Sequence, residues 1–183
     1  MPEDDLMNAV HLAVSVHRRP RLTLLALGGT IAGRASQSTI YAGYRAAVSD
    51  VSEILSSVPE LSGVAEIKAH QIFQVASQDM ASQHLLALGK EVNRLLSNDD
   101  CDGVVITQGT NTLEETSYFL NLVVRSHKPV VVTGAMRPST SLSADGPMNL
   151  FRATVVAASP QAIGRGVMVV MNDQILGARD VHK

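Results

Sequence analysis

From Leu22 onward the chain alternates short aliphatic or β-branched runs with longer segments of helical periodicity. This alternation constrains the fold more than any other feature, because it is the pattern of successive βαβ units. Strands are expected at Leu22 to Leu27, Ala65 to Ala69 with a continuation near Phe73, Gly103 to Thr107, Val130 to Thr133, and Val167 to Met171. Their nearly unbroken apolar character suits strands covered on both faces. Helices are expected at Ser49 to Ser57, Ser82 to Leu96, Thr112 to Val124 and Asp145 to Ala158. The first stops before Pro59, the third opens with Thr112 and Glu115 in a capping-box pattern, and the fourth has Asp145 as cap and Pro147 in its first turn. The fold class implied is α/β: a three-layer, doubly wound, mostly parallel sheet with helices on both faces. A chain of 183 residues with 45% hydrophobic content is long enough for one such domain with a sizeable core. The expected organisation is a flexible or weakly helical arm over residues 1–20, then a single domain over 21–183.

In open parallel sheets the site lies beyond the carboxyl ends of the strands. The loops at those ends read GGTIAG, ASQDM, TQGTNT, TGAMRPSTSLSADGP and NDQILGARDVHK, and each is rich in hydroxyls, amides or charges. In the first, LLALGGTIAG, two glycines permit positive φ or close backbone approach and so present Thr30 in an unusual pose. A phosphate-binding reading fits poorly, because Thr30 occupies the place where a dinucleotide fingerprint needs its second glycine, and the GK[ST] ending of a P-loop is absent.

Composition narrows the partners. A formal net charge of -2 with scattered basic residues leaves no electrostatic footprint for nucleic acid or an anionic membrane surface, so a small-molecule partner is expected. The single cysteine, Cys101, excludes an internal disulfide and reads as a buried small residue rather than a reactive thiol. Six histidines occur without an HExxH or a Cys/His ligand cluster, so no metal is expected. The first residues are acidic and their apolar run is short and broken by His11, which points away from a secretory signal and toward a cytoplasmic location. No stretch has the length of apolar residues that crosses a bilayer.

Thr30 and Thr110 each follow a glycine at the end of a buried strand, which places both at one edge of the sheet. A threonine hydroxyl is a weak nucleophile and needs a proton acceptor nearby; Tyr44 is the candidate for Thr30 and a neutral Lys183 for Thr110. The competing reading is that such threonines merely cap helices or orient turns. Arg137 and Asp145 are expected to brace their long loop by hydrogen bonds. Glu114 and Glu115 are expected to complement a helix dipole.

Taken together, GGTIAG, SQDM, QGTNTLEET, TGAMRPSTSLSADGPMNL and MNDQILGARDVHK, in this order and spacing from about Arg21 onward, resemble the bacterial-type L-asparaginase family, which includes the glutaminase-asparaginases. The resemblance implies an amidohydrolase that converts L-asparagine, and L-glutamine as a second substrate, to the acid and ammonia without cofactor or metal. It implies that Thr30 attacks the side-chain amide carbon to form an acyl-enzyme, that Tyr44 assists, and that Thr110, Asn111 and Lys183 form a second triad. It further implies that Ser77 and Gln78 hold the α-carboxylate and α-amino ends of the substrate, and that backbone near Gly29, Thr110 and Ala135 borders the reacting amide. Family members are typically homotetramers built from close dimers. The SQDM pairing is similar to the high-affinity, often exported branch, which makes the periplasm the alternative location.

Two departures from the family pattern stand out. Its usual GTDT reads GTNT here, so Asn111 stands where an aspartate would pair with the substrate's ammonium group, and Gln108 stands where histidine is common. The sequence also stops at Lys183, where family members continue into a smaller C-terminal domain, so the expectation is either a fragment of a longer product or a truncated protein. A catalytically inactive asparaginase-like domain that binds an amino acid or a partner chain is therefore the second reading. An amidotransferase subunit releasing ammonia for tRNA-bound glutamate is the third.

Overall fold

In the computed structural model, which describes residues 18–33 and 49–182, the apolar runs form one sheet. Its strands are β1 (Arg21–Gly28), β2 (Glu66–Val75), β3 (Gly103–Thr107), β4 (Val130–Thr133), β5 (Val167–Met171) and β6 (Gln174–Gly177). Their order is β2-β1-β3-β4-β5-β6, with every pair parallel except the last. The helices are α1 (Val51–Ser56), α2 (Leu61–Val64), α3 (Ser82–Leu96), α4 (Leu113–Val123) and α5 (Gly146–Ala158).

Parallel register carries each core layer straight across the sheet. Leu24 is level with Val105, Val105 with Val131, and Val131 with Met168; these buried side chains meet Ile54, Leu61, Leu150 and Ala153 of α1, α2 and α5. One residue further along each strand, Leu25, Ile106, Val132 and Val169 face the other way, onto Leu88 and Val92 of α3 and Leu120 of α4. Two apolar layers enclosing one sheet make the expected three-layer architecture. Each fully buried Leu or Val side chain stabilises it by about 1.5–3 kcal/mol. Cys101 is buried as expected, its Sγ 3.3 Å from the carbonyl oxygen of Gly103.

Some expectations are corrected. The second strand is a single ten-residue edge strand whose exposed and half-buried residues alternate over Glu66 to His70, not a fully covered apolar run. The segment after β5, read as a loop, contains β6: Asn172 (φ 49°) and Asp173 (φ 63°) form a left-handed two-residue turn that returns the chain antiparallel. The helix expected from Ser49 starts at Val51, capped by Asp50, whose carboxylate accepts from the backbone N–H groups of Ser52 and Glu53. Neither Thr112 nor Asp145 makes a side-chain cap bond. Both are drawn instead into the loops at the strand ends. Arg18 pairs with Asp102 at 3.0 Å, tying the residues just before β1 to those just before β3. The rest of the expected arm, residues 1–17, lies outside the described residues.

Candidate active site

The strand order reverses between β1 and β3, since β1 leads on to β2 at one side and β3 leads on to β4 at the other. The loops after these two strands diverge, and the crevice between them is where a doubly wound sheet binds its ligand. Gly28 (φ 100°) and Gly29 (φ 81°, ψ −163°) end β1 in conformations that side chains rarely adopt. The Gly29 N–H donates to the Val75 carbonyl at 3.1 Å. Opposite, Gly109 lies so close that a Cβ on Gly29 would overlap its backbone. Thr30 and Thr110, the next residues along these two segments, therefore leave a common backbone contact, and each opens a short 3-10 turn. Both are more than nine-tenths buried.

The turn after β2, Ser77–Asp79, closes on the same point. A Cβ on Gly109 would strike the Ser77 hydroxyl. That hydroxyl accepts from the Asn111 N–H at 3.2 Å, and the Thr112 hydroxyl donates to the Ser77 carbonyl at 3.0 Å. Thr112 thus directs its side-chain bond to a neighbouring loop and makes none to the first turn of α4. The Asn111 side-chain amide donates to Gln78 Oε1 at 3.4 Å, placing two exposed amides side by side above buried Ser77.

The loop after β4 forms the remaining wall. A Cβ on Gly134 would strike the Gln108 carbonyl and crowd the Thr110 methyl, and one on Gly146 would press on the methyl of fully buried Ala135. The same added Cβ on Gly146 would crowd Ile31, the residue after Thr30. Asp145 accepts from the N–H groups of Met136 and Arg137, both at 2.9 Å, while the Arg137 guanidinium donates to the Ser143 carbonyl at 2.7 Å. The bracing role expected of Arg137 and Asp145 is thus present, and it is the reason Asp145 is not available as a cap. Glu114 and Glu115 stand in the first turn of α4, as expected.

The structure brings Gly29, Thr30, Ser77, Gln78, Thr110 and Asn111 together and places Ala135 at their border. Tyr44 and Lys183 lie outside the described residues. Sequence reasoning passed over Gly109 and Gly134 as close-approach positions and Asn149 as a polar residue on the buried face of α5. The signal was present in the glycine that follows each strand-end polar residue and in the four-residue spacing from Asp145 to Asn149. Gln108 is buried, and its side-chain amide has no partner among the described residues. Also among the described residues, no three His, Cys, Asp or Glu side chains converge as a metal site would require, and no helix is long and apolar enough to cross a membrane. An arrangement of two buried threonines at a close backbone contact, flanked by the Gln78 and Asn111 amides, can hold a small polar molecule.

Known proteins match this chain in sequence and in fold. The family profile described as asparaginase, N-terminal, matches residues 21–183. L-asparaginase 2 of Bacillus subtilis (strain 168) is 50% identical over 164 residues, covering 90% of this chain and 44% of that protein. A glutaminase-asparaginase of Pseudomonas aeruginosa is 49% identical over 162 residues, covering 88% of this chain and 45% of its own length. A crystal structure of a probable cytoplasmic L-asparaginase from Campylobacter jejuni superposes with a TM-score of 0.88 at 45% identity, covering 90% of this chain and 50% of that one. The chain spans about half the length of the curated relatives it matches.

Proposed function

Because the chain belongs to the asparaginase family through the N-terminal domain matched over residues 21–183, we propose that this domain hydrolyses L-asparagine, and L-glutamine as a second substrate, by way of a threonine ester. The observation that carries the reading is the backbone contact of Gly29 with Gly109, beside which Thr30, Thr110 and Ser77 converge. Thr30 Oγ attacks the side-chain amide carbon, and its proton passes through Tyr44 to the leaving nitrogen, which departs as ammonia. Water then cleaves the ester, releasing the amino-acid carboxylate and restoring the Thr30 hydroxyl. Thr110, Asn111 and Lys183 assist as a second group. Backbone N–H groups at Gly29, Thr110 and Ala135 steady the oxyanion, and Ser77 with Gln78 holds the α-carboxylate and α-amino ends. No cofactor or metal enters the reaction, and the active assembly is a homotetramer.

The test is ammonia release from L-asparagine and L-glutamine by the purified protein, with Thr30→Ala prepared identically as the blank. Release at least a hundredfold above that blank is expected, since loss of an activated nucleophile removes the covalent route. Equal release from both proteins refutes the mechanism. One observation favours a second reading, an inactive amino-acid-binding domain: Asn111 is an amide and supplies no negative charge for an α-ammonium group. Calorimetric binding of L-aspartate by a folded protein that releases no ammonia would support it.

A further inference from the structure

The helix behind the Gly134-Ala135 wall contains a buried polar side chain that the mechanism above does not use. Asn149 is 3% exposed on the inner face of α5, among residues as apolar as Leu150 and Ala153. Its amide nitrogen donates to the Gly134 carbonyl at 3.0 Å and to Asp145 Oδ2 at 3.1 Å, and its Oδ1 accepts from the Asn172 N–H at 3.2 Å. Asp145, one turn earlier, grips the N–H groups of Met136 and Arg137. The carbonyl just before Ala135 and the amide just after it are therefore held by two side chains that are hydrogen-bonded to each other. The same Asn149 anchors the left-handed turn at Asn172 that joins β5 to β6.

We propose that Asn149 is a positioning residue that fixes the Ala135 peptide against the Thr30 and Thr110 turns. Burial alone does not account for an asparagine here, since an apolar side chain would fill the helix face without polar atoms to satisfy. Its bonds go to two loops rather than to its own helix backbone. A Cβ on Gly134 would crowd the Thr110 methyl, and one on Gly146 would crowd both Ile31 and the Ala135 methyl, so this loop sits with no spare room against both threonine turns. The inference rests on the reading of Thr30 and Ala135 as parts of one reacting site.

Two variants test it. Asn149→Asp keeps the acceptor for the Asn172 N–H but removes the donors to Gly134 and Asp145; Asn149→Leu removes all three bonds. In Asn149→Asp, kcat for ammonia release is expected to fall about 10–100-fold with KM within about threefold, because preorganised donors act in the transition state more than in binding. Hydrogen exchange at the Met136 and Arg137 amides is expected to quicken in both variants, and at the Asn172 amide only in Asn149→Leu. A folded Asn149→Asp protein, judged by circular dichroism, with kcat within threefold of the parent overturns the proposal. So does unchanged exchange at Met136 and Arg137. If Asn149→Leu fails to fold, Asn149→Asp alone decides. If Thr30→Ala matches the parent in ammonia release, it is the reaction assigned above that fails, and the exchange data alone decide whether Asn149 holds the loop.

Discussion

Replacing Gly29 with alanine should separate the two loops that form the site. Two independent costs arise. The first is conformational: at φ 81° and ψ −163° the backbone occupies a region open almost only to glycine, and forcing a side chain into it costs on the order of 1–3 kcal/mol. The second is steric: the new methyl would lie 2.0 Å from the Gly109 nitrogen and 2.7 Å from the Gln108 carbonyl carbon. Both neighbours are backbone, which cannot rotate away as a side-chain tip can. The strand ends must part by more than about 1 Å, an overpacking strain of roughly 1–3 kcal/mol. Together these amount to about 2–6 kcal/mol against a typical domain stability of about 5–15 kcal/mol. Urea unfolding of Gly29→Ala should show a midpoint lowered accordingly with an unchanged slope. Ammonia release by the folded fraction should fall at least about a hundredfold, because a displacement of about 1 Å in a reacting group costs that much. Gly63→Ala is the internal control: nothing lies within 4 Å of its added methyl, and within α2 it should stabilise by about 0.4–1 kcal/mol. A Gly29→Ala protein within 1 kcal/mol of the parent and fully active would refute the argument that this backbone contact builds the site.

Two further substitutions probe the site and the surface. Asn111→Asp should lower KM for L-asparagine about tenfold at neutral pH, since hydrogen bonds to charged groups contribute about 1.5–3 kcal/mol against roughly 0.5–1.5 for neutral ones; an unchanged KM would remove Asn111 from the ammonium end of the substrate. The Gln78 amide can rotate to donate to the new carboxylate, so the existing contact at 3.4 Å need not be lost. On α3, the Arg94 guanidinium hydrogen-bonds Glu91 and holds its carboxyl below the ordinary carboxylate value. A lowered folded-state pKa means that the pair stabilises above the ordinary glutamate value and that its contribution is lost as pH falls through the lowered one. Arg94 is exposed and Glu91 only half-buried, so solvent screens the pair and the effect is small. Glu91→Gln should therefore differ slightly from the parent in thermal midpoint at pH 7, and the difference should shrink as the pH falls below the ordinary glutamate range; a difference that grows on acidification would contradict the sign.

Much of this architecture is written locally. Runs such as LTLLAL and GVVIT can bury both faces only inside a parallel sheet, and Gly28-Gly29 announces a backbone conformation that other residues resist, so the strands and the place of Thr30 just past the end of β1 follow from neighbouring residues alone. Thr112 and Asp145 show where such reading stops. Each has the chemistry of a helix cap and the right place for one, yet Thr112 is claimed by the Ser77 carbonyl and Asp145 by the Met136 and Arg137 amides. Those competitors are 35, 9 and 8 positions away in the chain. The short β6 went unread for a related reason: four residues, three of them exposed, carry little periodicity, and their strand character comes from pairing with β5. Gly109 and Asn149 are the same case at the site. A glycine's need for space and an asparagine's partners depend on which other segment the packed sheet brings within contact distance. Propensity and periodicity act between near neighbours, whereas the satisfaction of a buried polar group is settled only when distant loops meet.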